Sequence, residues 1–282
     1  MTASRVSHGC TPTGGRRRKL FDDQKTTIVL FLAAPFALYL LLVALPIVQS
    51  FRYSLYAWDG LGPLEKYIGL GNYADLLRDP VFWQSLRNNF YLVGFSLVTQ
   101  LPPAVLLALL LTGRARGKDF FRTAFFAPQI VSAVAAGYMF YYVFEPTIGL
   151  LNGFLRLVGL GAWAQGWLGS PTWALPAVLV VITWRSIGFY MVLFMAAIEG
   201  IPAEILEAAR IDGCDGTRLV RHVTLPLIAG ALKTAAVLAM VGSIKYFDLI
   251  WIMTKGGPIH ASELVATYMY KQSFDMWHMG YG

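Results

Sequence analysis

Charged residues are scarce in this sequence. Only 14% of its 282 residues are Asp, Glu, Lys or Arg, whereas 56% are hydrophobic, and the mean hydropathy is +0.55. Soluble globular domains carry about 25% charged residues, because their surfaces face water. This composition excludes an ordinary soluble fold and predicts a protein whose helices cross a membrane several times.

Cysteine and histidine are also rare. The two cysteines, Cys10 and Cys214, lie in segments that the charge pattern assigns to the cytoplasm, which argues against a structural disulfide. The four histidines are scattered without the spacing of metal ligands, so we predict no metal site. No nucleophile stands in a recognisable pairing with a base, and we therefore predict that the chain is not an enzyme.

The segment 113–118 is superficially similar to a phosphate-binding loop. It is one residue short between its glycines, Gly113 and Gly117, and Asp119 stands where such a loop needs Ser or Thr. We interpret it as a basic turn, and we predict that this chain binds no nucleotide or other cofactor.

Five apolar runs are long enough to cross a bilayer, which takes about 20 residues. They cover approximately 28–48, 89–111, 123–144, 173–197 and 229–253. The first run is too long for a signal-peptide core and has no small-residue cleavage site after it, so it is predicted to be a retained helix. The sequence thus predicts an all-α polytopic membrane domain over 28–282, preceded by a basic, disordered tail over 1–27.

Basic residues are concentrated in alternate connections between these runs. They are Arg16, Arg17, Arg18, Lys19 and Lys25, then Arg114, Arg116, Lys118 and Arg122, and finally Arg210, Arg218 and Arg221. The connections 49–88 and 145–172 are poorer in them. Because basic loops stay in the cytoplasm, we predict a cytoplasmic N-terminus and a cytoplasmic segment 199–228. Anionic lipid beside this face accounts for the net charge of +7, and no nucleic-acid partner is predicted.

The connection 199–228 is polar and has the features of a short helix and turn. Pro202 suits a helix start, Glu204 and Glu207 lie early, and Arg210 lies late, as the helix dipole favours. Gly213 falls where a helix end accepts a residue with positive φ. An ordinary charged helix–turn–helix on a membrane protein is the simplest interpretation of this pattern alone.

The spacing within this connection adds a more specific interpretation. Glu207-Ala208-Ala209 is followed after three residues by Gly213, after nine more by Val223, and after one more by Leu225-Pro226. This pattern resembles the EAA loop of ABC importer permeases, the docking surface for the ATPase subunit in that family. The resemblance implies docking by Glu207, Ala208, Ala209, Asp212, Gly213, Val223, Leu225 and Pro226.

Other segments narrow the resemblance to sugar-type permeases, and to the first permease subunit of maltose-type importers. They are Gly69–Tyr73, Asp79–Trp83, Met253–Pro258 and Tyr270–Phe274, with Lys255 where Gly is more frequent. The implied fold is the transmembrane bundle of a type I ABC importer in a bacterial or archaeal cytoplasmic membrane.

The same resemblance implies the partners and leaves alternatives. The implied partners are a second homologous permease subunit, two ATPase subunits that hold ATP and Mg, an extracytoplasmic solute-binding protein and membrane lipid. Permeases for glycerol-phosphate or polyols are similar. A self-sufficient secondary transporter is a further alternative, although the inverted repeats expected of one are not visible.

Polar and aromatic residues inside the runs are candidates for a substrate path. Arg185 lies near the middle of the fourth run, where an unpaired charge costs ~2.5–3.5 kcal/mol or more. Lys245 and Asp248, three residues apart, can pair on one helix face. Trp184 and Tyr190 are further candidates. Contacts that tie helices together explain all five residues as well.

Two further expectations concern the course of the chain. Pro102-Pro103 is expected to kink the second run. Five crossings from a cytoplasmic start leave Gly282 outside, whereas the resembling family has six core helices. We therefore expect the reading frame to continue past Gly282 with about 20 mainly apolar residues.

Overall fold

The computed structural model describes residues 19–112 and 117–282, with the backbone alone for residues 19–27 and Leu30. Residues 1–18, which include Cys10 and most of the predicted tail, lie outside the described residues, as do Arg114 and Arg116 in the predicted basic turn. Residues 19–27 are helical, so the prediction of disorder is wrong for them. The stretch 19–27 contains neither Gly nor Pro, and nothing in it breaks the helix that continues into the apolar run.

The described residues form helices joined by turns, together with one isolated antiparallel bridge between Tyr56 and Tyr67. The helices before the central segment are α1 (Lys19–Tyr39), α2 (Leu45–Ser54), α3 (Gly71–Arg78), α4 (Pro80–Thr99), α5 (Leu101–Leu111), α6 (Lys118–Ile130), α7 (Ala133–Val143) and α8 (Leu150–Leu157). The remaining helices are α9 (Ala174–Glu199), α10 (Ala203–Ile211), α11 (Gly216–Leu219), α12 (Leu225–Leu227), α13 (Ala229–Ile244), α14 (Asp248–Met253) and α15 (Val265–Tyr270). Wider π-helical turns follow α1, α11 and α15 at Leu40–Ala44, Val220–Thr224 and Lys271–Asp275.

Four segments are long and apolar enough to cross a membrane. They are Phe31–Ser54, Pro80–Leu111, Ala174–Glu199 and Ala229–Met253. The segment Phe31–Ser54 is not buried by any other described part of the chain. In the second segment the helix is interrupted at Gln100, two residues before Pro102 and Pro103, which occupy the first turn of α5. This interruption agrees with the expected kink.

The third predicted run is not one continuous helix. Its two halves, α6 and α7, are bent by 95° relative to each other. Val131 and Ser132 are extended between them, with ψ of 131° and 140°. Pro128 lies in the last turn of α6 and has no N–H to donate, so one hydrogen bond of the helix is missing just before the bend.

Helix α9 is the centre of the bundle, and two apolar cores lie along it. One core joins the first half of α9 to α7 and α14 and includes Val178, Ala136 and Leu249. The other joins the second half of α9 to α5 and the start of α13. Helix α6 crosses α9 so closely that a Cβ on Gly188 would lie 1.9 Å from the carbonyl oxygen of Phe125.

The connections divide between the two ends of this bundle. We call the end that carries Lys118 and residues 199–228 the basic end. The opposite end carries the connections 55–79, 144–173 and 254–264 and the segment 265–282. Side chains of α4 bind the last connection there, since Gln84 donates to the carbonyl of His260 and Asn88 donates to that of Ala261.

Candidate functional site

The connection at the basic end is built on α10, whose start and end follow the predicted pattern. Pro202 precedes the first helical residue, Ala203. Glu204 lies in the first turn and Arg210 in the last, so both side-chain charges complement the helix dipole. The local sequence thus accounts for a short helix standing away from the apolar bundle.

Gly213 ends this helix as predicted, with φ of +79°. The N–H of Cys214 donates to the carbonyl of Ala209 at 2.9 Å, and the N–H of Gly213 donates to that of Arg210 at 3.0 Å. This is a Schellman turn, in which a residue with left-handed backbone reverses the chain after a helix. The predicted backbone conformation of Gly213 is therefore confirmed. A Cβ at this position would meet no atom within 4 Å, because the turn projects into open space.

The tip of the connection is exposed, including its apolar residues. Glu207, Ala208 and Asp212 are exposed, and Ala209 is half-buried. Ile211 is 86% exposed. Sequence reasoning missed Ile211, although one signal was available. It follows Glu204 and Glu207 at helical spacing, and an isolated large apolar residue on a charged helix face requires an explanation.

The base of the connection is anchored to the bundle. Leu225 and Ile201 pack against the core at the basic end, and Ile228 is buried within it. Val223 is half-buried and Pro226 is exposed. Of the predicted docking residues, the structure brings Glu207, Ala208, Asp212 and Gly213 together on α10 and its turn, whereas Val223 and Leu225 belong to the anchored base.

Few side chains within the connection bind one another. Among the described residues its only side-chain hydrogen bond joins Nδ1 of His222 to the carbonyl oxygen of Arg218, at 3.1 Å. Its acidic and basic side chains form no ion pair with a described residue. The charges of this segment therefore remain available to a partner.

Of the five candidates for the substrate path, the two aromatic residues are packed between helices. Trp184 lies edge-on to Phe140, with ring centroids 5.0 Å apart, beside the core at the opposite end. Tyr190 is buried in the core at the basic end. Both packings are compatible with the interpretation as helix contacts that the sequence left open.

Arg185 is half-buried and lies beside the hydroxyl of Tyr246. Its Nε is buried and has no hydrogen-bond partner among the described residues. A guanidinium nitrogen without a partner in an apolar bundle is costly. Its N–H is therefore free to donate a hydrogen bond to a ligand or partner group.

Lys245 and Asp248 do not lie on one helix face, and that prediction is wrong. Helix α13 ends at Ile244 and α14 begins at Asp248, so the two residues flank a break. Both are exposed, and they form no ion pair with each other. The break is stabilised by Asn89, whose Nδ2 donates to the carbonyls of Ser243 and Ile244 at 3.1 and 3.3 Å.

Aromatic rings surround this break, and sequence reasoning missed them. Phe247 stacks on Trp251 at 5.4 Å, and Trp251 meets Tyr270 edge-on at 4.7 Å. Phe247 and Trp251 are four residues apart at the start of α14, but Tyr270 comes from α15, and no spacing in the sequence connects it with the other two. The exposed Asp248 adds a carboxylate beside these half-buried rings, so a ligand would meet both a hydrogen-bond acceptor and flat apolar surfaces.

The opposite end also holds a cavity of about 770 Å³. Tyr138, Tyr141 and Phe144 line one side of it, and Thr254 and Lys255 line another. No group of three potential metal ligands occurs among the described residues. Glu145 also lines the cavity, which therefore presents aromatic rings together with a carboxylate and an ammonium group.

The known proteins to which this chain is similar are named as permease components of transport systems. Residues 91–277 match the family described as "Binding-protein-dependent transport system inner membrane component". The chain is 36% identical over 264 residues to the probable ABC transporter permease protein YurN of Bacillus subtilis, covering 93% of this chain and 90% of YurN. It is 34% identical over 277 residues to the diacetylchitobiose uptake system permease protein NgcF of Streptomyces coelicolor, covering 94% and 78%.

A solved structure has the same fold. It is a bacterial alginate ABC transporter in complex with an alginate pentasaccharide-bound periplasmic protein. The TM-score is 0.79 at 21% identity, over 94% of this chain and 90% of that one. This likeness concerns the fold, and it confirms the predicted importer-type helical bundle.

Proposed function

The chain belongs to the family of binding-protein-dependent transport system inner membrane components, and from this premise we propose that it is the permease subunit of an ATP-driven importer of a sugar or oligosaccharide. The observation that carries the proposal is the connection 199–228, which is anchored at its base and exposed and unpaired at its tip. The chain itself is proposed to have no enzymatic activity.

The tip of this connection is proposed to dock an ATPase subunit. Ala208 has no side-chain bulk, so a partner can approach α10 closely, and the exposed Ile211 offers an apolar contact beside it. Glu207 and Asp212 have no ion-pair partner among the described residues and supply charge for recognition. Ala209, Gly213, Val223, Leu225 and Pro226 shape and support this surface.

The base of the connection 199–228 is proposed to transmit the movement of the ATPase subunits to the spanning helices that line the pore. Ile201 and Leu225 pack against the core that contains the second half of α9 and the start of α13. A displacement of α10 therefore moves side chains that contact two spanning helices. ATP and Mg²⁺ are proposed to bind on the partner ATPase, and the basic end is proposed to face the cytoplasm.

The solute is proposed to pass the break between α13 and α14. Arg185 and Asp248 supply charged groups there, and the rings of Phe247, Trp251 and Tyr270 supply flat apolar surfaces. Sugars bind to such combinations, because their hydroxyls need hydrogen bonds and their ring faces stack on aromatic rings. The names of NgcF and of the alginate transporter support a saccharide as the solute class.

The remaining partners follow from the same machinery. A second permease subunit is proposed to complete the pore, and an extracytoplasmic binding protein is proposed to deliver solute at the opposite end. The permease domain is proposed to cover 28–282 in the cytoplasmic membrane of a bacterium or archaeon, with the N-terminus in the cytoplasm.

The docking proposal is tested by placing a charge on the exposed apolar residue of the tip. Ile211→Glu is expected to reduce co-purification of the ATPase subunit and solute uptake by at least tenfold, while the amount of folded permease stays unchanged. Ile259→Glu is the matched control, because Ile259 is equally exposed, at 84%, but lies at the opposite end. Unchanged ATPase retention by Ile211→Glu would refute the docking surface.

A further inference from the structure

The connection between α7 and α9 contains a long stretch with almost no charge. Between Ile148 and Ser170 the only charged residue is Arg156. The stretch includes α8 and a short 3-10 turn at Gly161–Trp163. It lies at the opposite end of the bundle, where the connection emerges from the membrane domain.

One side of α8 is fixed to the protein by Asn152, which is buried. Its Nδ2 donates to the carbonyls of Pro146 and Gln165 at 3.0 and 2.9 Å. Its Oδ1 accepts from Nε1 of Trp167 at 2.8 Å and from the N–H of Gln165 at 3.3 Å. Four hydrogen bonds from one side chain leave the helix little freedom to rotate, so the direction of its other side is set by the fold.

That other side is apolar and exposed. Leu150, Phe154, Leu157 and Val158 follow one another at spacings of four, three and one, which places them on one face of a helix. Leu157 is 87% exposed and Leu150 is 74% exposed. The apolar surface continues through Leu160 to Trp163, both of which are also exposed.

The polar groups of the segment lie at its edge. The guanidinium of Arg156 donates to the carbonyls of Thr147 and Pro146, both at 3.4 Å, so it lies along the turn that leads into α8. An apolar surface of this extent is unfavourable in water and marks a contact with a membrane or a partner. Protein interfaces carry a polar rim, whereas this face has one basic residue and no acidic residue.

We propose that α8 and the Gly161–Trp163 turn lie in the outer interface of the membrane, with this face inserted among lipid acyl chains. Leu, Phe and Trp are the residues that a helix lying in the plane of the interface places among the acyl chains, with basic residues on its polar side. Trp163 then lies at the level of the lipid headgroups, and Arg156 lies near their phosphates. The segment anchors the connection between α7 and α9 at a fixed depth, independently of the solute transported.

The proposal is tested on the full chain with its partner subunits in nanodiscs of phosphatidylethanolamine and phosphatidylglycerol. Cys10 and Cys214 are replaced by Ser, and a nitroxide is attached to Leu157→Cys or, separately, to Phe154→Cys. Its collision rates with oxygen, which partitions into lipid, and with a water-soluble nickel chelate are then measured. Glu65→Cys serves as the exposed control on another connection at the same end, and Leu106→Cys serves as the control within a spanning helix.

The labels on α8 are expected to favour oxygen over the chelate at least threefold more than the Glu65 label, but less than the Leu106 label. Chelate access equal to that of the Glu65 label would place α8 in water and overturn the proposal. Low access to both reagents would mean that a protein subunit covers this face, which would overturn it equally. Loss of oxygen access only after addition of the solute-binding protein would assign the face to that partner instead.

Discussion

The two ends of the bundle are stabilised in opposite ways. At the opposite end, segments distant in the sequence bind one another through side chains, as the half-buried Asn88 of α4 does with the carbonyls of Ala261 and Glu263. At the basic end, the connection 199–228 projects from its base and its charged side chains pair with no described residue. The difference indicates that the opposite end folds by its own contacts, whereas the tip at the basic end is available to another subunit.

Glu263 is a buried charged residue at the opposite end. Its side chain is fully buried and accepts from Nζ of Lys271 at 2.5 Å and from Nδ1 of His260 at 3.0 Å. Gly256 packs so tightly against it that a Cβ there would lie 2.5 Å from the carboxylate. One charged group thus holds together both ends of the segment from Gly256 to Lys271.

The largest expected effect follows from removing this carboxylate. Glu263→Ala leaves the mostly buried ammonium of Lys271 unpaired, and we expect a loss of about 3–5 kcal/mol in the free energy of unfolding. Thermal unfolding of the detergent-solubilised complex measures it. Glu65→Ala, at an exposed residue, is the control. A transition temperature equal to that of the control would show that the pair contributes nothing to this end.

A smaller effect is expected from pH at Asp79, which precedes α4. Burial alone would raise the pKa of its carboxyl, but hydrogen bonds from Tyr268, the N–H of Val81 and Tyr281 lower it below 3.8. Since the pKa is lower in the folded protein, the stabilisation is present above about pH 4. It is lost as the pH falls through the folded pKa.

Asp79→Asn is therefore expected to be less stable than the wild type at pH 7 and to show a weaker decline in stability between pH 4 and pH 2. Asparagine still begins a helix well, so the variant tests the charge rather than the helix start. Thermal unfolding across this range measures the effect. Parallel profiles for the two proteins would contradict it.

The smallest effect on stability is expected at the basic end. Gly213→Ala forces a residue with a Cβ into a left-handed backbone, which costs about 1–2 kcal/mol, although the Cβ meets no atom. Gly213→Asn tolerates that backbone better and is the matched comparison. If Gly213→Ala lowers the unfolding temperature only slightly and Gly213→Asn lowers it less, while both variants retain less ATPase subunit than the wild type, the turn serves docking. A fall in stability as large as that of Glu263→Ala would remove the contrast between the ends.

Local sequence was sufficient for features that depend on local physics. The apolar runs, the short helix α10 and the positive φ of Gly213 all follow from residues within a few positions of one another. The bend between α6 and α7 and the break at Lys245 do not. Asn89 donates to the carbonyl of Ser243 from a position 154 residues away, and no local pattern contains that contact.

The candidate site, like the fold, was predictable where it depends on neighbouring residues and not where it depends on distant ones. The docking residues on α10 could be proposed from their spacing, because that spacing fixes one helix and one turn. Tyr270 meets the rings of Phe247 and Trp251 only where the chain returns after its last connection. The pairing of Lys245 with Asp248 was predicted on the assumption of an unbroken helix. The prediction was wrong because the helix breaks between them, where Asn89 of α4 binds the carbonyls of Ser243 and Ile244.

The close crossing at Gly188 has a mechanical consequence. The carbonyl oxygen of Phe125 occupies the space where any other residue would carry its side chain, so α6 and α9 have no room to slide past each other. A shift of α9 at this level is therefore expected to carry α6 with it. The extended residues Val131 and Ser132, just beyond α6, are the place at which the backbone between α6 and α7 can change its direction.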